Sequence, residues 1–242
     1  MFSKWKKYSY ADQKTYISQM RTLVLKIALV IAVYLLLTGL VFPMIVMRSA
    51  SMQPSINKGD RFIFLSFIIR GVIPEGTTVL GTKLYNRGDI VTVDMSGRQD
   101  GVITIILDKL CRFFTAGRIG LPGREDRIFI KRIIGLPGDE ISMTNFVMQI
   151  KPAGSQYMLT EYELSGKRLY KTEIPQMPAL WNDALPFSGS MSAVVLNDDE
   201  YFVLADDRSN TNDSRTWGPV SSDKITSKAL FRYWPPGRAG PP

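Results

Sequence analysis

The chain has 242 residues, 45% of them hydrophobic, with a net charge of +8, enough for one sizeable domain or two small ones. It contains no histidine and a single cysteine, Cys111. That excludes Ser-His-Asp and Cys-His catalysis, an internal disulfide and the usual His/Cys zinc sites, and leaves a lysine or a carboxylate as the base of any hydrolase.

The charge is unevenly placed. Residues 1–26 carry Lys4, Lys6, Lys7, Lys14, Arg21 and Lys26 against Asp12 alone. A nucleic-acid binder would carry its excess on a folded face, whereas here it abuts an apolar run, which points to a membrane. That run, 27–47, has no charged residue. As a helix it would span roughly 30 Å, the thickness of a bilayer core. Pro43 falls near its outer end, where it would disturb only the last turn. The basic flank predicts a cytoplasmic N-terminus, with everything after Arg48 outside. A cleaved signal peptide is the rival reading, since Ser49-Ala50-Ser51 resembles a small-residue cleavage site. The run exceeds the roughly 7–15 apolar residues of such a peptide, and this favours a retained anchor.

Beyond the anchor, short apolar runs separated by turn residues predict strands: 60–69, 89–93, 127–134 and 201–204. Their spacing predicts a mainly β domain closed on itself. Residues 102–114 break the pattern. Ile103, Ile106, Leu107, Leu110, Phe113 and Phe114 recur at helical spacing, which predicts an amphipathic helix facing either the core or a lipid surface. Residues 142–194 are mixed and proline-bearing, and predict a loop-rich insertion or cap. The Pro/Gly-rich end, 235–242, predicts a disordered tail. No internal repeat is evident.

Three segments could carry chemistry. Ser51 lies just past the apolar run among small residues, with room for a substrate backbone. A serine in such a loop is more often a solvated turn residue. On the strand 127–134, Phe129, Lys131 and Ile133 share one face, and Ile130, Arg132 and Ile134 the other. Two adjacent cations cannot both face one solvated side, so one points toward a buried face. A buried Lys131 would have a lowered pKa and could accept a proton from a serine hydroxyl, as arginine cannot. The bland alternative is that Lys131 snorkels to water and pairs with a carboxylate. Finally, 205–218 packs acids, amides and hydroxyls around Arg208 and Arg215, as either a solvated loop or a polar scaffold around a site.

In this order the segments resemble the type I signal peptidase family. Ser49–Ser55 matches the Ser-x-Ser-Met-x-Pro stretch beside the anchor, and Gly59-Asp60 the Gly-Asp that follows. Arg87–Val91 matches the Arg-Gly-Asp-Ile-Val element. Lys131–Asp139 matches Lys-Arg-x-x-Gly-x-Pro-Gly-Asp, and Ala205–Gly218 the final Gly-Asp-Asn-Arg element.

The resemblance implies a membrane-bound serine endopeptidase of the bacterial cytoplasmic membrane, with a transmembrane anchor, a β-rich extracytoplasmic domain over 48–234 and a cap. Its partners would be the lipid bilayer and secretory preproteins, cut after small residues, with no metal, cofactor or nucleic acid. By resemblance Ser51 is the nucleophile and Lys131 its base. The Ser51 N–H and the Ser49 hydroxyl form the oxyanion hole, Thr211 orients the lysine, and Asp213 and Arg215 form a structural ion pair. A narrower Ser-Lys processing peptidase, or an inactive peptide-binding β domain, are the alternatives. Ala50, Ala205 and Asp207 depart from the family pattern. Ala205 replaces a glycine and could restrict the backbone. Asp207 replaces an asparagine; it is expected to pair with Arg208 or face solvent.

Overall fold

The computed structural model describes residues 10–37, 41–66, 85–95, 104, 107–108, 111, 128–165, 170–176 and 189–242. Helix α1 spans Tyr10–Leu36, and within it Thr15–Leu35 is long and apolar enough to cross a membrane, with none of that stretch buried. The helix both starts and stops earlier than the apolar run 27–47. Pro43 lacks an N–H and biases the residue before it toward extended backbone. Strand β1 (Met44–Val46) follows at once and pairs with β2 (Arg61–Ser66), so the outer end of the run belongs to a sheet.

The further strands are β3 (Ile90–Asp94), β4 (Ile128–Gly135), β5 (Glu140–Thr144), β6 (Val147–Lys151), β7 (Leu159–Thr160), β8 (Met191–Val195), β9 (Glu200–Leu204), β10 (Val220–Ser221) and β11 (Ile225–Trp234). Two short helices, α2 (Glu161–Ser165) and α3 (Ser214–Trp217), interrupt them. The strands form a seven-stranded sheet, β1-β2-β11-β3-β4-β9-β10, and a four-stranded sheet, β7-β6-β5-β8. All the pairings are antiparallel. Among the described residues no ladder joins β1 to β10, so the expected closure is not seen there.

The mainly β expectation holds, and the region 142–194, expected to be loop-rich, contributes most of the small sheet. Alternation explains this: Ile141, Met143, Met148 and Ile150 all point into one buried cluster with Phe202 and Leu204. The end of the chain is not free either. Gly240 exchanges backbone hydrogen bonds with Arg232, and Arg238 reaches the Asp60 carboxylate at 2.6 Å. A Pro/Gly-rich composition thus marks a turn that is pinned by an ion pair. Of the predicted helix 102–114, only Thr104, Leu107, Asp108 and Cys111 are described; all four are helical, and the rest of the stripe lies outside the described residues.

One turn recurs three times: Asn57–Asp60, Asn86–Asp89 and Leu136–Asp139. Gly59, Gly88 and Gly138 have φ of 95°, 81° and 80°, as the third position of a type II turn requires. In each, the aspartate N–H donates to the first residue's carbonyl, and its carboxylate accepts the first residue's N–H at 3.1, 2.7 and 2.6 Å. A basic side chain then meets each buried carboxylate: Arg238 and Arg232 at Asp60, Lys228 at Asp89, and Arg87 at Asp139.

Candidate active site

Ser51 lies in the β1–β2 connection. The connection is closed at its base by Met47 N–H to the Asp60 carbonyl and Gly59 N–H to the Met47 carbonyl, each at 2.8 Å. Met52 and Ile56 are buried with Met47, Phe62, Phe64 and Ile90 and hold the loop down. Ser51 itself is 6% exposed, next to exposed Ala50. Its N–H donates to the Ser49 hydroxyl oxygen at 3.1 Å. The two groups expected at an oxyanion hole therefore stand together, bonded to each other; a substrate oxygen would have to take over the N–H.

Lys131 sits in the middle of β4, opposite Val91 of β3. It is 2% exposed, and its neighbour Arg132 is 4% exposed. Both cations are thus buried, but they are treated differently. Arg132 grips Asp206 in a bidentate pair, Nε to Oδ1 at 2.7 Å and Nη2 to Oδ2 at 2.6 Å. Its Nη1 donates to the Gly88 carbonyl at 2.8 Å, and its plane lies 4.3 Å from the Tyr170 ring centroid. None of the ion pairs among the described residues includes Lys131. Its amine lies 5.9 Å from the ring centroid of Trp217, which also packs on Phe129.

Burial pushes the Lys131 amine down from 10.5 to about 8; Asp213 opposes the fall, Arg215 adds to it, and Asp206 and Asp207 oppose it. A group titrating there is partly neutral near pH 8 and can accept a proton.

The loop 205–213 contacts Ser51, and α3 after it carries the Trp217 ring beside Lys131; no hydrogen bond joins Ser51 to Lys131 among the described residues. The Asp207 N–H donates to the Ser51 carbonyl at 3.1 Å. Asp213 caps α3, accepting the Arg215 N–H, and its Oδ2 accepts the Ala205 N–H at 3.0 Å. Arg215 clasps Asp213 through Nε (2.9 Å) and Nη2 (2.8 Å) and also reaches the Arg208 and Asn210 carbonyls. Thr211 is in this loop, and its hydrogen bonds among the described residues run through its carbonyl, from Asp213 N–H and Thr216 Oγ1.

The departures from the family pattern resolve locally. Ala205 is absent from the residues with positive φ and is fully buried, so alanine fits there. Asp207 does not pair with Arg208. Its carboxylate accepts from the Ser209 N–H and hydroxyl at 3.0 and 2.5 Å. Arg208 is taken instead by Glu161, at 2.5 Å, because its side chain points into the small sheet. Glu161, Tyr170, Trp217 and the Arg132–Asp206 pair were not singled out from the sequence. Arg132 and Trp217 lay inside quoted motifs; Glu161 and Tyr170 carried no signal, since tertiary contact alone brings them here.

The comparisons with known proteins establish the family. The family model "Signal peptidase, peptidase S26" matches residues 20–234, and the chain belongs to that family. It is 30% identical over 192 residues to a probable signal peptidase I-2 from Synechocystis, covering 79% of this chain and 63% of that protein. It is 33% identical over 108 residues to signal peptidase IB of Staphylococcus aureus, covering 44% of this chain and 53% of that one. The matches therefore span less than two thirds of either relative. A crystal structure of a signal peptidase I from Enterococcus faecalis is 22% identical, with a TM-score of 0.29, over 59% of this chain and 94% of that one, which is too loose a likeness to carry weight.

Proposed function

We propose that this protein is a membrane-anchored serine endopeptidase that removes signal peptides from secretory preproteins, with Ser51 as nucleophile and Lys131 as general base. The observation that carries it is a buried lysine amine, outside any ion pair among the described residues and lowered to about 8, beside the loop whose Asp207 N–H holds the Ser51 backbone. A neutral Lys131 takes the Ser51 hydroxyl proton as the oxygen attacks the scissile carbonyl. The Ser51 N–H and Ser49 hydroxyl then stabilise the oxyanion, the amine passes its proton to the leaving nitrogen, and water completes hydrolysis of the acyl-enzyme. Asp213 and Arg215 hold the loop, and Thr211 aims the amine. Helix α1 anchors the chain in the bacterial cytoplasmic membrane; the cations of 1–26 keep the N-terminus cytoplasmic and the β domain on the outer face. Ser51 follows the anchor closely, so enzyme and cleavage site share one interfacial layer. No metal or cofactor enters this chemistry.

The test is cleavage of a purified preprotein by the full chain, with the cut mapped by mass spectrometry, alongside Ser51→Ala. The expected result is one cut after a small-x-small motif and none by the folded variant. Binding without cleavage by the unsubstituted chain would assign an inactive peptide-binding domain. Cleavage confined to one specialised substrate would assign a narrower processing peptidase.

A further inference from the structure

Arg208 and Glu161 are both shut away from solvent, at 0% and 2% exposure. Glu161 begins α2 beside the small sheet. Its Oε1 accepts the Met148 N–H of β6 at 3.1 Å, and its Oε2 accepts the Tyr170 hydroxyl at 2.7 Å and Arg208 Nη2 at 2.5 Å. Among the described residues Glu161 is the one carboxylate in an ion pair with Arg208. The remaining guanidinium contacts among the described residues are sparse: Nη1 lies 3.4 Å from the Phe146 carbonyl, and Nε has no hydrogen-bond partner there. Arg208 therefore depends on Glu161 for its place.

The Arg208 backbone sits at the junction of the candidate site. Its N–H donates to the Glu173 carbonyl at 2.8 Å, and the preceding N–H, of Asp207, donates to the Ser51 carbonyl. Its own carbonyl accepts Arg215 Nη1 at 2.8 Å, and Arg215 clasps Asp213. We propose that Glu161 is a positioning residue for the catalytic dyad: it anchors Arg208 to the small sheet and so sets the register of the loop that meets both Ser51 and Lys131. This rests on the reading of Ser51 and Lys131 given above. It assigns the small sheet a task in catalysis, that of a fixed platform for the polar loop.

Loosening that loop displaces groups by a fraction of an ångström to an ångström. A misplacement of about 1 Å costs on the order of a hundredfold in rate. Water would also reach the Lys131 amine, whose surrounding charges are Asp206, Asp207, Asp213 and Arg215; burial is the largest cause of its depressed pKa, so that pKa would rise.

The experiment compares preprotein cleavage by the full chain in detergent with Glu161→Gln, the double variant Glu161→Met with Arg208→Met, and Tyr170→Phe. The double variant removes both buried charges and fills most of their volume, so it avoids the unpaired buried ion that a lone substitution would leave, and loses only the acceptor of the Met148 N–H and the Tyr170 hydroxyl. The expected result for the double variant is a melting temperature near that of the unsubstituted chain, kcat lower by about tenfold to a hundredfold, KM within about twofold, and an ascending pH limb moved to higher pH. Tyr170→Phe leaves both charges in place and should move kcat and the limb the same way by a smaller amount. Unchanged kcat and pH limb in the folded double variant overturn the proposal; if that variant does not fold, an unchanged limb in Tyr170→Phe does so. Ser51→Ala and Lys131→Arg in the same assay separate the two failures. If the unsubstituted chain cleaves and neither of these variants does, the dyad stands whatever Glu161 does.

Discussion

The three Gly-Asp turns and the polar loop 205–217 both bury carboxylates matched by cations, and they differ in what they leave over. In each turn the aspartate is consumed by its own turn N–H and by a basic side chain arriving from elsewhere, as Asp139 is by Arg87 at 2.5 Å. In the loop the carboxylates go to arginines: Asp206 to Arg132 and Asp213 to Arg215. Lys131 is left among them without a carboxylate at ion-pair distance among the described residues. The difference teaches how to tell scaffold from chemistry. A buried charge that is fully matched holds the fold, whereas a buried amine left unmatched is held near its titration point and can move a proton.

The strongest way to break this comparison is Lys131→Arg. It conserves the charge, but a guanidinium does not give up its proton. Cleavage should fall by a factor on the order of 10⁴ or more, with the melting temperature little changed. Preprotein cleavage at matched concentrations checks this, and near-normal activity would sink the dyad.

Asp139→Asn attacks the matched class instead. It leaves Arg87 facing a neutral amide and should cost about 3 kcal/mol, a drop in Tm of roughly 5–10 °C. The protein that remains folded should keep its kcat. A stable variant with impaired kcat would erase the distinction between scaffold and site.

Lys131→Met should do the reverse, raising stability while abolishing activity. Because the folded amine titrates at about 8 and not at 10.5, protonation disfavours the folded state. That penalty, on the order of 3 kcal/mol, is full below pH 8 and vanishes as the pH climbs to 10.5. The stability difference between the variant and the unsubstituted chain should therefore be flat below pH 8 and shrink above it. Denaturant melts between pH 6 and pH 10.5 would show this, and a pH-independent difference would mean that the amine is not depressed.

Two smaller effects sharpen the picture. Thr211→Ala should lower kcat by about tenfold with little change in KM, and Thr211→Ser should be near neutral; equal behaviour would deny the hydroxyl its role. Ala205→Gly restores the family residue, yet the backbone here needs no positive φ. It should cost about 0.5–1 kcal/mol and leave cleavage unchanged.

The sequence by itself narrowed the class of mechanism and singled out its candidate residues. The absence of histidine removed the common triads, and the order of short motifs singled out Ser51, Lys131 and the loop after β9. Strand periodicity located β2, β3, β4 and β9 to within a few residues, because alternation with a buried face is a local signal. It misplaced the end of the long apolar helix, since 44–46 is as apolar as the residues before it and only pairing with Arg61–Ile63 makes it a strand. It also missed the small sheet, whose strands are short and depend on partners up to about fifty residues away. Only the tertiary structure decided which cation is matched. Lys131 and Arg132 are neighbours on one strand, both buried, and nothing local says that Asp206 will take the arginine. Nor does anything local bring Glu161 to Arg208. Ion pairing inside a fold depends on distance and desolvation between segments remote in sequence, and those are set when the sheets assemble.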